Sequence, residues 1–344
     1  MSKTTYLKIA LALVMALALL NVWLRREADN SSPFISDESD YYVPDALTGH
    51  LHRPNTAKSI KWQEHPLGEI VMKTNNMGFR NDADTKEEKE KGVCRILITG
   101  DSHTDGVVYN RESFAAVLRD MLSGRGPCEA LNGGVGYYGP QNYLGFIQKH
   151  RFLQADQVIV ALYLGNDFLD AVHLAVERKE LPKKERPADY YDKIWEMDEA
   201  MPGFSGQCLN QAWYFKNYPD RKQHALRITV DALRDISAIC KAEQAGLLVL
   251  LLPSELGAQF SADSVRIVRA TAMLHLSESD WKVENALADG LLKSLRAYGI
   301  DCIDLRNAFE RSAHPLYWKR DLHLNVEGHR LVAESIYQSG IIHL

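Results

Sequence analysis

Five short apolar runs, each closing on a glycine or a polar turn and each followed by room for at least one helix, constrain this chain more than any other feature. They are residues 95–99 (RILIT), 128–132 (CEALN), 157–165 (QVIVALYLG), the run LLVLLLP from Leu247, and 300–305 (IDCIDL). Between them, apolar periodicity predicts helices over 113–122, 140–153, about 221–244 and 281–298. A last helix is expected after Asn325, a residue type that favours helix N-caps. Strands alternating with helices pair in parallel through right-handed crossovers. The expected fold is therefore a three-layer α/β domain around a central parallel sheet of five strands.

The rest of the chain departs from this rhythm in three places. Residues 9–24 are apolar apart from Asn21, and with Tyr6, Leu7 and Trp23 extending the run it is long enough to cross a bilayer, Lys8 snorkelling. No small-residue cleavage site follows in RREADNSS, so residues 1–26 read as a cytoplasmic tail and uncleaved signal anchor. Lys3 and Lys8 precede the span and Arg25 and Arg26 follow it, so charge bias alone leaves its orientation open. The reading adopted places the bulk of the chain outside the cytoplasm, on a single-pass inner-membrane anchor facing the periplasm or exterior. Residues 27–92, polar and ending in DTKEEKEK, read as a tether and an irregular lead-in to a domain spanning 93–344. Residues 173–220, charged and then aromatic, are too long for an ordinary connection and are expected to form a lid; 254–278 is a smaller insertion of the same kind.

With 40 basic and 45 acidic residues the formal charge is -5, which supplies no basic field for nucleic acid. Five cysteines suit an oxidising compartment only if one is left over. If strands 95–99 and 128–132 are neighbours, Cys94 and Cys128 lie side by side and form the expected disulfide. Cys240 with Cys302 is a second possible pair, and five buried thiols are the alternative.

In open parallel sheets ligands bind beyond the carboxyl ends of the strands. The segments there are GDSHTDG after the first strand, LNGGVGYYGPQ after the second, LGNDFLD after the third and KRDLHLNVEGH after the fifth. Together they offer a serine, glycine amides, an asparagine amide and an Asp-His pair, the parts of an acyl-transfer site that needs neither cofactor nor metal. Ser102 is too weak a nucleophile without a base to take its proton. His323 is the candidate base, and Asp321 would hold its tautomer and stabilise the imidazolium. In an extended segment side chains at i and i+2 share a face, so this pair can meet. Asp101 and Asp167 read as structural, His103 as a rival base pointing away from Ser102, and His329 as helix packing. Tyr137 and Tyr138 are open between stacking on sugar rings and rim packing.

These four blocks, in this order, resemble the SGNH (GDSL-type) serine hydrolases over roughly residues 93–344. The segment NNMGFR, residues 75–80, is similar to one found ahead of the serine block in membrane-anchored bacterial relatives of envelope and polysaccharide pathways. The resemblance implies a flavodoxin-like sheet and an esterase acting on an O-acyl group, most naturally of an acylated glycan. It implies an oxyanion hole built from the Ser102 amide, a glycine amide of the second block and the Asn166 side chain. Relatives often carry glycine five residues after the block's asparagine, where this chain has Tyr137, so Gly136 is taken as the donor. Relatives also more often space the acid and base as Asp-x-x-His than as the Asp-x-His found here.

Three other activities compete with this reading. A polysaccharide O-acetyltransferase would use the same triad with a sugar hydroxyl in place of water. A binuclear metallophosphoesterase uses Asp-x-His, Gly-Asp-x-x-Asp and Gly-Asn-His/Asp elements. DLH, GDSHTD and GND echo them, with the first at the wrong end of the chain and the second one residue too long. A non-catalytic glycan-binding protein would need no serine and Asp-His set.

Overall fold

The computed structural model describes residues 41–185, 207–258 and 265–342, with four isolated positions between 189 and 196. The apolar N-terminal run lies outside the described residues, as does the middle of the expected lid, residues 186–206 apart from those four positions. Among the described residues no helix is long and apolar enough to cross a membrane.

The central sheet consists of β5 (Cys94–Gly100), β6 (Cys128–Gly134), β7 (Gln157–Tyr163), β8 (Gly246–Leu252) and β9 (Asp301–Asp304). All pairings are parallel, in the order β6-β5-β7-β8-β9. Numbered within the sheet this is 2-1-3-4-5, the flavodoxin-like order, and the direction of winding reverses between β5 and β7.

Side-chain alternation along the strands builds the two outer layers. Leu97, Val158, Val160, Leu162, Val249 and Leu251 face one way, onto α3 (Pro140–His150), α4 (Asp167–Glu177), α5 (Gln207–Asn217), α6 (Asp220–Ala242) and α7 (Val283–Ala297). Ile96, Ile98, Ile159, Ala161, Leu248 and Leu250 face the other, onto α2 (Phe114–Leu122) and α8 (Val326–Ser339). Each such Leu or Ile taken fully out of water contributes roughly 1.5–3 kcal/mol before entropy is counted. Caps fix the helix starts: Ser113 Oγ accepts from Ala116 N at the head of α2, and Asn325 Oδ1 from Gly328 N at the head of α8. The helix expected over 281–298 begins instead at Val283, behind a separate turn at Glu278–Trp281.

Two expectations need correction. The lead-in is ordered rather than irregular: β1 (Tyr42–Asp45) pairs with β2 (Gly49–His52), and β3 (Ala57–Lys61) with β4 (Glu69–Lys73). The strands are short and only half buried, so their periodicity is faint in a polar sequence. Tyr41, Trp62, Ile70 and Met72 form a small core with Val108 and Trp318. The DTKEEKEK run is also tied down, because buried Arg95 donates to the carbonyls of Lys86 and Glu87 while pairing with Glu129 at 3.0 Å.

The cysteines are free, not bridged. Cys94 and Cys128 do stand directly opposite one another on β5 and β6, as expected. They stand there as two thiols, Cys128 Sγ donating to the Glu129 carbonyl at 3.7 Å, and their proximity lowers the Cys94 pKa and raises that of Cys128. Cys240 and Cys302 are likewise unbridged.

Of the two insertions, α5 has Leu209, Ala212 and Phe215 buried in the main core. The second insertion contributes the short helices Glu255–Ala258 and Val265–Met273.

Candidate active site

β5 ends against a tight turn. A Cβ on Gly100 would lie 2.0 Å from Thr104 Oγ1 and 2.8 Å from the Ala161 carbonyl, so only glycine lets the chain turn there. Asp101 Oδ1 accepts from His103 N at 2.9 Å, starting the short helix α1 (Ser102–Asp105) and presenting Ser102 at the C-terminal edge of the sheet. This is the crevice beside the β5/β7 switch point, where such sheets bind ligands.

Ser102, His323 and Asp321 are brought together. His323 Nε2 lies 2.8 Å from Ser102 Oγ, and His323 Nδ1 lies 2.7 Å from Asp321 Oδ2. The carboxylate can only accept, so Nδ1 carries the proton and Nε2 is left to accept from the serine hydroxyl. Asp321 and His323 are buried and Ser102 is half-buried. Burial lowers the His323 pKa, but the charge and hydrogen bond of Asp321 outweigh it, helped by Asp101 and Asp105, and the net shift is upward.

The way the pair meets differs from the expected one. The segment is not extended: Leu322 has φ +66°, a left-handed turn between the two residues. Such a conformation costs a non-glycine residue about 1–2 kcal/mol. It is held by Leu322 N donating to the Trp318 carbonyl at 3.0 Å and Trp318 N to the His323 carbonyl at 2.8 Å.

Two of the expected oxyanion donors, the Ser102 and Gly136 amides, come together at this edge. Val135 N donates to Gly100 O and Tyr138 N to Val135 O, closing a tight turn that carries Gly136 and Tyr137. A Cβ placed on Gly136 would lie 4.0 Å from Ser102 Cβ, so this glycine lies beside the serine. The N–H groups of Ser102 and Gly136 donate to no acceptor among the described residues. Tyr137, where relatives have glycine, keeps the glycine-like backbone at φ +65°, with its side chain 60% exposed; Tyr138 is buried. Asn166 occupies the N-cap of α4 without capping it, and its side-chain amide bonds to nothing among the described residues.

The surrounding residues take the structural places expected of them. Asp167 is buried and accepts from Tyr163 N and Tyr143 Oη, both at 2.8 Å; burial and then the charges of Asp101 and Asp170 push its pKa well up. His103 is stacked on Tyr163 at 3.7 Å between ring centroids and makes no hydrogen bond to Ser102; burial drives its pKa well down. His329 Nδ1 accepts from Phe114 N. Asp101 is pushed up to about 7, chiefly by burial, with the His103 N–H and the His323 charge opposing.

Several residues that position the site are absent from the sequence reading. Arg80, fully buried, donates to Asp105 Oδ1 at 2.6 Å and to the Asp105, Gly106 and Val108 carbonyls, fastening NNMGFR to the turn behind Ser102. Asn75 Oδ1 accepts from Met77 N and Phe79 N, which shapes that segment. His52 Nε2 bonds Asp105 Oδ2 at 3.2 Å, and His50 Nε2 donates to the Gly136 carbonyl at 2.9 Å. Glu64 accepts from Lys319 N and Arg320 N just before Asp321. The only sequence signal was NNMGFR, since lone histidines and a glutamate in a polar stretch carry no pattern.

No family model matches the chain, and no curated protein matches it. Among solved structures, it is similar to a catalytic variant of Axe2, an acetylxylan esterase from Geobacillus stearothermophilus. That pair shows 12% identity and a TM-score of 0.45, covering 75% of this chain and 98% of the other. A lipase/acylhydrolase from Enterococcus faecalis matches at 13% identity and a TM-score of 0.42, covering 72% and 95%. LAE5, an alpha/beta hydrolase enzyme from the metagenome of Lake Arreo, Spain, matches at 14% identity and a TM-score of 0.40, covering 75% and 99%.

Chemically, the arrangement joins a hydroxyl to a base of fixed tautomer beside N–H groups with no other acceptor among the described residues. That is the equipment for adding an alcohol oxygen to an ester carbonyl and stabilising the tetrahedral anion.

Proposed function

We propose that this protein is a serine esterase of SGNH type that cleaves an O-acyl ester. Ser102 Oγ adds to the acyl carbon while its proton passes to His323 Nε2. The tetrahedral oxyanion is held by the Ser102 and Gly136 N–H groups and the Asn166 amide, each donor worth about 3 kcal/mol of barrier. Collapse expels the alcohol, which takes the proton from His323, and leaves acyl-Ser102. Water, deprotonated by His323, then adds to the acyl carbon, and collapse expels Ser102 Oγ, which takes that proton back from His323 as the carboxylic acid leaves. The observation that carries this reading is the 2.8 Å contact from Ser102 Oγ to His323 Nε2, continued at 2.7 Å to Asp321.

The same pair of contacts disfavours the metallophosphoesterase, because both nitrogens of the DLH imidazole are engaged by Ser102 and Asp321 and neither is left to bind a metal. The finer reading is an enzyme on a single-pass anchor at residues 1–26, with its catalytic domain outside the cytoplasm, acting on an acylated glycan of the envelope or an exported polysaccharide. Its support is the apolar run at 9–24 and the similarity of NNMGFR to a segment of anchored relatives. O-acetyl transfer runs through the same acyl-Ser102 with a sugar hydroxyl replacing water.

The test is turnover of p-nitrophenyl acetate by wild type, Ser102→Ala and His323→Ala. Loss of turnover in both variants at unchanged folding supports the reading, and retention in either overturns it. Acetylated glycans offered to the wild type then separate release of acetate from its transfer.

A further inference from the structure

We infer that the β1–β2 hairpin forms the acyl-side wall of the site and that Tyr42 limits the acyl group to acetyl. This rests on the esterase reading above and specifies its substrate class as acetyl esters.

The hairpin is bolted to two of the three loops that carry the proposed oxyanion donors, those of Ser102 and Gly136. On β2, His50 and His52 alternate by two and point to one face. His50 Nε2 donates to the carbonyl of Gly136, and His52 Nε2 to the carboxylate of Asp105, three residues past Ser102. Tyr138 Oη donates to the His50 carbonyl. The far end of the hairpin is seated on α3: Asp45 pairs with Lys149 at 2.8 Å and Asn142 Nδ2 donates to the Thr48 carbonyl at 2.8 Å. A Cβ on Gly145 would come within 2.4 Å of the Leu47 carbonyl, so the approach is backbone to backbone.

Tyr42 is held rigidly in this frame. Its ring stacks on His52 at 5.3 Å and meets His50 edge-on at 4.9 Å and Tyr41 edge-on at 5.4 Å. Its hydroxyl reaches the space beside Gly136: the point where a Cβ would project from that glycine is 2.8 Å from Tyr42 Oη and 4.0 Å from Ser102 Cβ. Tyr42 Oη and Ser102 Cβ thus flank the same point beside Gly136. An acyl group on Ser102, with its carbonyl oxygen turned to the Ser102 and Gly136 N–H groups, has to fit beside that hydroxyl. A two-carbon group leaves the ring undisturbed, whereas a longer chain must push aside an aromatic packed on three neighbours.

The test uses the full chain in detergent micelles and compares kcat/KM on p-nitrophenyl acetate, butyrate and hexanoate for wild type, Tyr42→Ala and Tyr42→Trp, with Ser102→Ala as blank. The wild type is expected to favour acetate. Tyr42→Ala is expected to raise the butyrate-to-acetate ratio by on the order of tenfold, the discrimination that one or two methylenes command in a shaped pocket. Tyr42→Trp is expected to lower it. A ratio taken within one variant does not depend on how much of it folds. For a variant too slow to assay, relative labelling of Ser102 by methyl and butyl phosphonofluoridates carries the same comparison. A wild type as fast on butyrate as on acetate, or a ratio that neither variant moves, overturns the inference alone. Absence of Ser102-dependent hydrolysis in the wild type overturns the esterase reading and this inference with it.

Discussion

The carboxylate of Asp321 reaches Nδ1 of His323 at 2.7 Å across one intervening residue, Leu322, whose backbone is left-handed at φ +66°. The Asp-x-His spacing works through that turn. Leu322→Ile conserves volume but puts a β-branched side chain where left-handed backbone is least tolerated. It should lower stability in urea unfolding, beyond the cost Leu322 already bears. Because displacements near 1 Å can cost ~100-fold in rate, esterase turnover should fall at least about tenfold. Unchanged kinetics would mean that the turn does not set the pair.

The base should govern the acid limb of the pH profile. Its folded pKa is raised above the ordinary 6.5, so it is protonated and inactive below that raised value. Esterase kcat/KM should therefore climb with pH through a midpoint above 6.5. Asp321→Asn removes the chief raising influence. Its acid limb should move to lower pH while kcat drops by about 10³–10⁴-fold.

Asp101 adds a second titrating group, raised to about 7 because burial disfavours its charged form. As an anion it helps keep His323 charged. Asp101→Asn retains an oxygen to accept from His103 N and removes the charge. The prediction is an acid limb that shifts to lower pH and becomes a single-proton curve, with the thermal midpoint little changed.

Arg80 is a wholly buried cation against Asp105. Removing one partner of a buried pair leaves the other desolvated and costs about 3–5 kcal/mol. Arg80→Met should lower unfolding stability by that amount in urea titrations. Turnover should fall with it even in the folded fraction, since the turn behind Ser102 loses its brace.

Cys94 and Cys128 face each other in register on adjacent parallel strands. Neighbouring strands run about 4.8 Å apart, within the span a disulfide bridges. Treatment with a disulfide oxidant should join these two, blocking their alkylation and leaving Cys208, Cys240 and Cys302 reactive after unfolding. Peptide mapping that finds Cys94 bonded elsewhere would contradict the register.

The sheet was legible because each strand is a short apolar run ended by a turn residue, and two-sided burial demands such runs. β5 was expected over 95–99 and spans Cys94–Gly100, and Asn325 caps the last helix as predicted. Ser102, His323 and Asp321 stood out because strand ends are where α/β sheets present chemistry. The hairpins of residues 42–73 were illegible for the opposite reason. Their strands are four or five residues long, half exposed, and stabilised by single contacts such as His50 to Gly136 and Glu64 to Lys319 N, which leave no periodic trace. The bend at Leu322 was missed because nothing about leucine announces a left-handed backbone. The distance between Asp321 and His323 was therefore expected for the wrong geometric reason.

The Arg80 guanidinium lies upstream of the first sheet strand yet donates to Asp105, Gly106 and Val108, all downstream of it. A chain trimmed to begin at the sheet would keep every apolar layer and still strand an anionic side chain without its counter-ion, directly under the nucleophile. The unit that keeps this carboxylate paired thus reaches upstream of the sheet, and its border falls well before the point where the composition turns hydrophobic.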